Sequence, residues 1–252
     1  MKNDLINIYR NFLKDSIRKK IDFSQTDQSK GIDAPPIQKE YSADQKIINL
    51  PKKEEWKSIK DISLCSVFQS RQSRRKYNKN PIKLDELSFL LWSTQGLRHG
   101  IDSGRTFRMV PSAGCRHSFE TYLLIFNVIG LEEGIYRYLP VDNSLLFESD
   151  QNGLSKKIND ASFGQSFIGT AAVVFIWTTI PYRMEWRYDI AAHRVIAIDV
   201  GHVCQNLYLA CEAIDSGTCA IGAFDQEKMD KLLKVDGKDE FVIYLAPVGK
   251  IS

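Results

Sequence analysis

The segment Arg71-Gln72-Ser73-Arg74-Arg75-Lys76-Tyr77 sets Arg71 and Arg75 four residues apart around the hydroxyl of Ser73. Arginine presents a rigid fork of donors that matches a phosphate or the polar edge of a flavin-like ring, and serine adds a hydroxyl hydrogen bond. The segment is thus a candidate anion site, and its plain alternative is a basic surface loop. In Val110-Pro111-Ser112-Ala113-Gly114 the proline fixes one φ angle and the small residues let backbone approach a ligand closely. Alone it is also a common turn. Trp186-Arg187-Tyr188-Asp189 puts a tyrosine beside a permanent cation. That pair suits acid–base chemistry if the phenol is made more acidic, and equally suits a surface contact.

Two further segments belong with these. Asp199-Val200-Gly201-His202, followed by Gln205-Asn206, falls inside a helical stretch. Glycine there costs about 1 kcal/mol relative to alanine, so Gly201 implies close packing or a close ligand. His202 reads first as a hydrogen-bonded core or interface residue. Ala220-Ile221-Gly222-Ala223-Phe224-Asp225 follows a strand-like stretch, and N–H groups in such a turn can donate to a ring nitrogen.

Elements must position these residues. Leu5, Ile8, Phe12, Leu13, Ile17 and Ile21 recur at helical spacing and predict an amphipathic helix over 4–21. Residues 22–55 are polar, carry Pro35-Pro36 and Pro51, and predict an extended arm that needs packing against something else. Residues 1–60 are therefore read as an N-terminal helix and arm, and 61–252 as the compact domain. Within it, helices are expected over 63–71 and 84–92, with Gly96 stopping the second. Strands are expected at 122–128, at 134–138 with a hairpin return at 145–147, and at 171–178. A long helix over 190–214 ends at Ser216-Gly217. A short strand or turn at 219–222, a helix over 226–233 and a strand at 241–248 follow. Mixed helices and strands around a buried sheet make the class α+β.

Composition removes many alternatives. The 252 residues are 43% hydrophobic and 26% charged, an ordinary globular balance. The longest apolar run, 170–180, is about half of the ~20 residues a membrane span needs. Met1-Lys2-Asn3-Asp4 leads into no unbroken apolar stretch, so no secretory signal and no membrane partner are expected. The five cysteines, at 65, 115, 204, 211 and 219, contain no C-x-x-C pair, which argues against disulfides and structural zinc and for a reducing cytoplasm. The histidines at 99, 117, 193 and 202 lack H-E-x-x-H spacing, and no metal is expected. Walker, G-x-G-x-x-G and G-x-S-x-G motifs are absent from the sequence. Residues 1–80 hold 18 Lys and Arg against 10 Asp and Glu, so the positive charge is gathered there. No basic run interleaved with aromatics points to nucleic acid.

The order of these segments carries more than any one of them. Arg71-x-Ser73-x-Arg75-x-Tyr77, Pro111-Ser112-Ala113-Gly114 with Glu120-x-Tyr122, Gly134-Ile135-Tyr136-x-Tyr138, Asp199-x-Gly201-His202-x-x-Gln205-Asn206, Ala220-Ile221-Gly222-Ala223-Phe224 and Pro247-Val248-Gly249-Lys250 together resemble the nitroreductase superfamily, and within it the SagB-type dehydrogenase branch. The resemblance spans about residues 30–252. It implies an α+β fold with a mixed central sheet flanked by helices, binding FMN at the interface of an intertwined homodimer. Carried over by position, Arg71, Ser73 and Arg75 hold the FMN phosphate, ribityl chain or pyrimidine edge. Pro111, Ser112, Ala113 and Gly114 contact the flavin from the opposite subunit. The backbone of Ile221, Gly222 and Ala223 lies near N5 and O4 of the ring, and Lys250 assists at the phosphate. The branch implies oxidation of thiazoline and oxazoline rings in ribosomally made peptides to azoles, with a cyclodehydratase as partner. Branch members often carry a Lys-Tyr pair where this chain has Arg187-Tyr188. Arginine cannot be a general base. Tyr188 is then the catalytic candidate and Arg187 its charge stabiliser. The same scaffold would also suit an NAD(P)H-dependent reductase of nitro, quinone or activated-alkene substrates, or a non-catalytic subunit of a peptide-modifying complex.

Overall fold

The computed structural model describes residues 2–98, 100, 101 and 104–251, so His99 lies outside the described residues. Its centre is β5 (Val173–Thr179), buried along its whole length. Successive strand residues point to opposite faces. Val173, Phe175 and Trp177 enter one core and Val174 and Ile176 the other. Burying each such side chain contributes about 1.5–3 kcal/mol, which is why the run reads as uninterrupted apolar sequence rather than as an alternating one.

The other strands are β1 (Ile47–Asn49), β2 (Phe119–Ile125), β3 (Gly134–Leu139), β4 (Ser144–Ser149), β6 (Ser216–Thr218) and β7 (Phe241–Lys250). They form one sheet in the order β1-β4-β3-β2-β5-β7-β6. Every ladder is antiparallel. Among the described residues parallel pairing is confined to isolated bridges at Ser73–Thr218 and Ile82–Val128, so the expected mixed sheet is an antiparallel one with parallel contacts at its margin. The first of those bridges ties the Arg71–Arg75 segment to the sheet edge.

Helices cover both faces. α3 (Leu84–Gln95) and α6 (Ala192–Glu212) pack on the Phe175–Trp177 side. α4 (Leu154–Ala161) and α7 (Gln226–Leu233) pack on the Val174–Ile176 side. α2 (Leu64–Ser70) precedes the arginine segment, and α5 (Tyr182–Tyr188) precedes α6. Among the described residues no helix is long and apolar enough to cross a membrane, and no group of three His, Cys, Asp or Glu side chains is arranged to hold a metal.

Several boundaries move. The first helix, α1 (Lys2–Phe12), stops early, and residues 15–20 form a separate 3-10 turn. There the Asp15 carboxylate accepts from Arg18 Nε at 2.9 Å, and Arg194 Nε donates to the Leu13 carbonyl at 2.8 Å. Strand β2 lies three residues earlier than expected, because Phe126 and Asn127 N–H both turn to the Ala172 carbonyl and end the ladder. Where the sequence predicts a short strand or turn at 219–222, the strand is β6 at 216–218, and 219–222 is an irregular segment with Ile221 bridged to Leu245.

The arm finds its packing within its own chain. Buried Arg108 donates to the Ile37 carbonyl, and buried Arg137 donates to the carbonyls of Lys39 and Glu40. Lys39 N–H donates to Glu120, whose carboxylate also pairs with Arg183 at 2.6 Å. The segment 26–32 lies on α5: Gln28 N–H donates to the Trp186 carbonyl, Trp186 Nε1 to the Ile32 carbonyl and Tyr182 Oη to Asp27. The apolar side chains Leu5, Ile8, Tyr9 and Phe12 of α1 remain exposed.

Candidate active site

Helix α6 organises two separate groups of candidate residues. Toward its C-terminal end, the Tyr208 hydroxyl accepts from Ala220 N–H at 2.8 Å and shares a 3.0 Å hydrogen bond with Ser73 Oγ. The Arg71 guanidinium stacks over the Tyr208 ring at 5.5 Å. Arg71, Ser73 and the 220–223 turn are therefore brought together by a residue that sequence motifs did not single out. Its only sequence signal is its place on the long helix. Arg75 leaves the same segment as an exposed side chain, and among the described residues neither arginine has a carboxylate partner.

The turn divides its donors. Ile221 N–H is spent on the Leu245 carbonyl, and Ile221 O accepts from Leu245 in return. Among the described residues Gly222 and Ala223 N–H meet no protein acceptor, and both residues are exposed. A Cβ on Gly222 would reach the Tyr244 ring only at 3.6 Å, an ordinary contact. The open donors of this turn are thus at 222–223, and Ile221 is their anchor. Cys219, which precedes the turn, and Cys204 are buried, and burial pushes the Cys204 thiol up to about 12.

Toward the N-terminal end of α6, Asp199 is buried and its carboxylate accepts from Ala113 N–H at 3.1 Å. Ser112 Oγ accepts from His117 N–H at 3.0 Å. Burial raises the Asp199 pKa, opposed by hydrogen bonds from Ser112 and Ala113. The same effect, with Arg108 adding repulsion, pushes the His117 pKa down to about 2, so that ring is neutral. Gly114 needs its missing side chain twice over. Its φ is +59°, and a Cβ would come 2.6 Å from Tyr188 Oη and 2.9 Å from Arg187 Nε. Pro111–Gly114 and Arg187–Tyr188 therefore form one packed unit, with Arg116 stacked on Trp186 at 4.6 Å behind it.

Lys250 stands apart from both groups. Its ammonium donates to Glu86 and to the Ile214 carbonyl, each at 2.6 Å, and is largely buried there. The Asp199 and Tyr208 groups are nine residues apart on α6. At 1.5 Å and about 100° per residue they are separated by about 14 Å and face opposite sides of the helix. Between them an exposed strip holds Ile198, Gly201, His202 and Gln205, and a Cβ on Gly201 would meet nothing within 4 Å.

An antiparallel sheet is thus sandwiched by helices, with an arginine–serine loop joined through Tyr208 to a turn of open N–H donors. The nitroreductase family model matches residues 68–250, and the chain belongs to that family. Members of the family are flavin-dependent oxidoreductases that bind FMN. A nitroreductase-type protein of Methanocaldococcus jannaschii is 33% identical over 192 residues, 76% of this chain and 93% of the relative. A nitroreductase-type protein of Anabaena variabilis has a solved structure 26% identical, with a TM-score of 0.62 over 74% of this chain, which spans only 38% of that protein's length. A chain of the E. coli microcin synthetase McbBCD complex, solved with truncated pro-MccB17 bound, shares the fold at a TM-score of 0.59 and 18% identity, covering 81% of this chain and 78% of that one.

Proposed function

We propose that this protein is an FMN-dependent dehydrogenase of the SagB type, oxidising thiazoline or oxazoline rings in a ribosomally made peptide to azoles. The observation that carries the reading is the packed unit of Gly114, Arg187 and Tyr188, which sets a phenol and a permanent cation against the loop expected to face the flavin. The likeness to a microcin synthetase chain is in keeping with a peptide substrate and a cyclodehydratase partner.

The donor set fits FMN. Arg71, Ser73 and Arg75 offer cationic and hydroxyl donors to the phosphate, ribityl chain and pyrimidine edge, and Gly222 and Ala223 offer free N–H groups to the ring. Lys250, held by Glu86, acts at the phosphate only if that pair opens. FMN, when bound, supplies the hydride acceptor. The chain's own residues do the rest. Tyr188 Oη takes the proton from the carbon beside the ring nitrogen as the substrate gives up two hydrogens. The Arg187 guanidinium lies over the Tyr188 ring at 5.5 Å and sets positive charge beside that phenol. Gly114 leaves both side chains room against the loop.

The site is shared between two copies. Two groups about 14 Å apart on opposite sides of one helix do not reach one ring from a single chain, whereas a homodimer packed along the open Gly201 strip brings one group from each. The alternative reading, an NAD(P)H-dependent reductase of nitro, quinone or activated-alkene compounds, is favoured by the nitroreductase-type relative and by arginine standing at position 187.

The test is the visible spectrum of the FMN-loaded protein under anaerobic conditions. Addition of a synthetic thiazoline peptide should bleach the flavin while NADPH leaves it oxidised. Rapid bleaching by NADPH, with none by the peptide, would transfer the assignment to the reductase. Tyr188→Phe should keep its flavin and react about 100-fold or more slowly with the peptide, the scale of a lost acid–base group. An unchanged rate would remove Tyr188 from the reaction.

A further inference from the structure

The residue next to Arg187 that no motif marks is Gln28, in the N-terminal arm. Its backbone N–H donates to the Trp186 carbonyl at 2.9 Å, and its side-chain Oε1 accepts from Arg187 Nη1 at 3.1 Å. The turn that carries it is fixed from both sides: Tyr182 Oη donates to Asp27 at 2.8 Å, Trp186 Nε1 donates to the Ile32 carbonyl at 2.9 Å, and Thr26 is buried. All of these partners lie on α5, whose last turn holds Arg187 and Tyr188. The other end of the Arg187 side chain rests on Gly114 through Nε and Cδ.

From this geometry we infer that Gln28 is a positioning residue for the active site, with the arm turn 26–32 serving as the brace that aims the Arg187 guanidinium. The inference rests on the dehydrogenase reading for the role of Arg187, and on the contacts alone for the role of Gln28. The choice of side chain has a reason. A long arginine side chain loses much rotamer freedom when held in one geometry, so an anchored acceptor is needed to keep it there. The acceptor here is a neutral amide. It fixes the fork without cancelling the charge that acts on Tyr188, as an aspartate or glutamate at the same place would tend to do. The backbone bond from Gln28 to Trp186 is independent of the side chain, so truncating the amide loosens Arg187 without releasing the arm.

Two measurements test this. In the apoprotein, the Arg187 guanidinium nitrogen signals, identified by their loss in Arg187→Ala, should show hindered rotation in the wild type and free rotation in Gln28→Met. Amide hydrogen exchange over residues 24–34 should be the same in both. Free rotation already in the wild type, or an arm that opens in Gln28→Met, would overturn the inference whatever the enzyme's substrate. In the FMN-loaded protein with the thiazoline peptide, Gln28→Met should lower the bleaching rate about 3- to 10-fold, the scale of one ordinary, solvent-exposed hydrogen bond, with an unchanged half-saturating peptide concentration. Gln28→Met should add no further loss in an Arg187→Ala background, and Gln28→Asn should fall between the wild type and Gln28→Met. Losses that multiply in the double variant would overturn the inference. If the peptide fails to bleach the wild-type flavin and NADPH bleaches it, the dehydrogenase reading fails instead, and the apoprotein signals still decide whether Gln28 holds Arg187.

Discussion

The two groups on α6 are built on opposite plans. The Tyr208 group leaves its donors open: among the described residues Arg71, Arg75 and the N–H groups of Gly222 and Ala223 have no carboxylate or carbonyl to satisfy them, and Ser73 and Ala220 are fixed by one hydroxyl. The Asp199 group is closed. Ala113 N–H, Ser112 Oγ, His117 N–H and the Gly114 surface are all engaged within the chain, and Arg187 is held at both ends. Open donors at the surface cost little because water satisfies them until a ligand arrives. A buried polar group has no such substitute and must be paired in the fold. One group is thus made to receive an anion and the other to hold a geometry.

That contrast can be broken by experiment. The largest effect belongs to the open group. Arg75→Ala, and separately Arg71→Ala, should weaken FMN binding about 10- to 100-fold, the equivalent of one charge-assisted hydrogen bond, with little change in the melting temperature of the apoprotein. Quenching of flavin fluorescence on titration measures it, and wild-type affinity in both variants would remove the segment from the cofactor site. The closed group should respond the other way. Gly114→Ala places a side chain at positive φ and against Tyr188 Oη, and should cost about 1–3 kcal/mol of stability. Urea unfolding of the apoprotein reads it, and a neutral result would mean that the packed unit is loose. FMN affinity of the folded variant should change less than in Arg75→Ala.

The smallest effect is a pH dependence. Burial raises the folded-state pKa of Asp199 above its unfolded value of 3.8. Between those values the folded state binds the proton more tightly, so this group's contribution to stability falls as pH rises through the window. Asp199→Asn should flatten that slope while keeping an acceptor for Ala113 N–H. The urea midpoint measured across the acid range shows it, and an identical slope in both proteins would mean that Asp199 is solvated rather than enclosed.

Much of the frame was legible from residue types. The apolar run of β5 and the spacing of Ile196, Val200, Val203 and Leu207 in α6 are local patterns, and local periodicity follows directly from which face is buried. The early end of α1 and the shift of β2 were not legible, because each depends on a hydrogen bond from a distant part of the chain: Arg194 to Leu13, and Phe126 with Asn127 to Ala172.

The same division runs through the site. By itself the sequence determined that Arg71, Ser73 and Arg75 form a donor-rich loop, that Gly114 is a residue without a side chain beside a proline turn, and that the long helix carries Asp199 and Tyr208. Those facts are chemistry of residue type and spacing. Only the tertiary structure decided that Tyr208 joins Ser73 to Ala220, that the Ile221 N–H is taken by the Leu245 carbonyl, that Lys250 is held by Glu86, and that Gln28 from the arm reaches Arg187. Each of these is a contact between residues far apart in the chain. A hydrogen bond is set by a few ångströms in space, and a one-dimensional spacing of 12 or 159 residues carries no record of that distance.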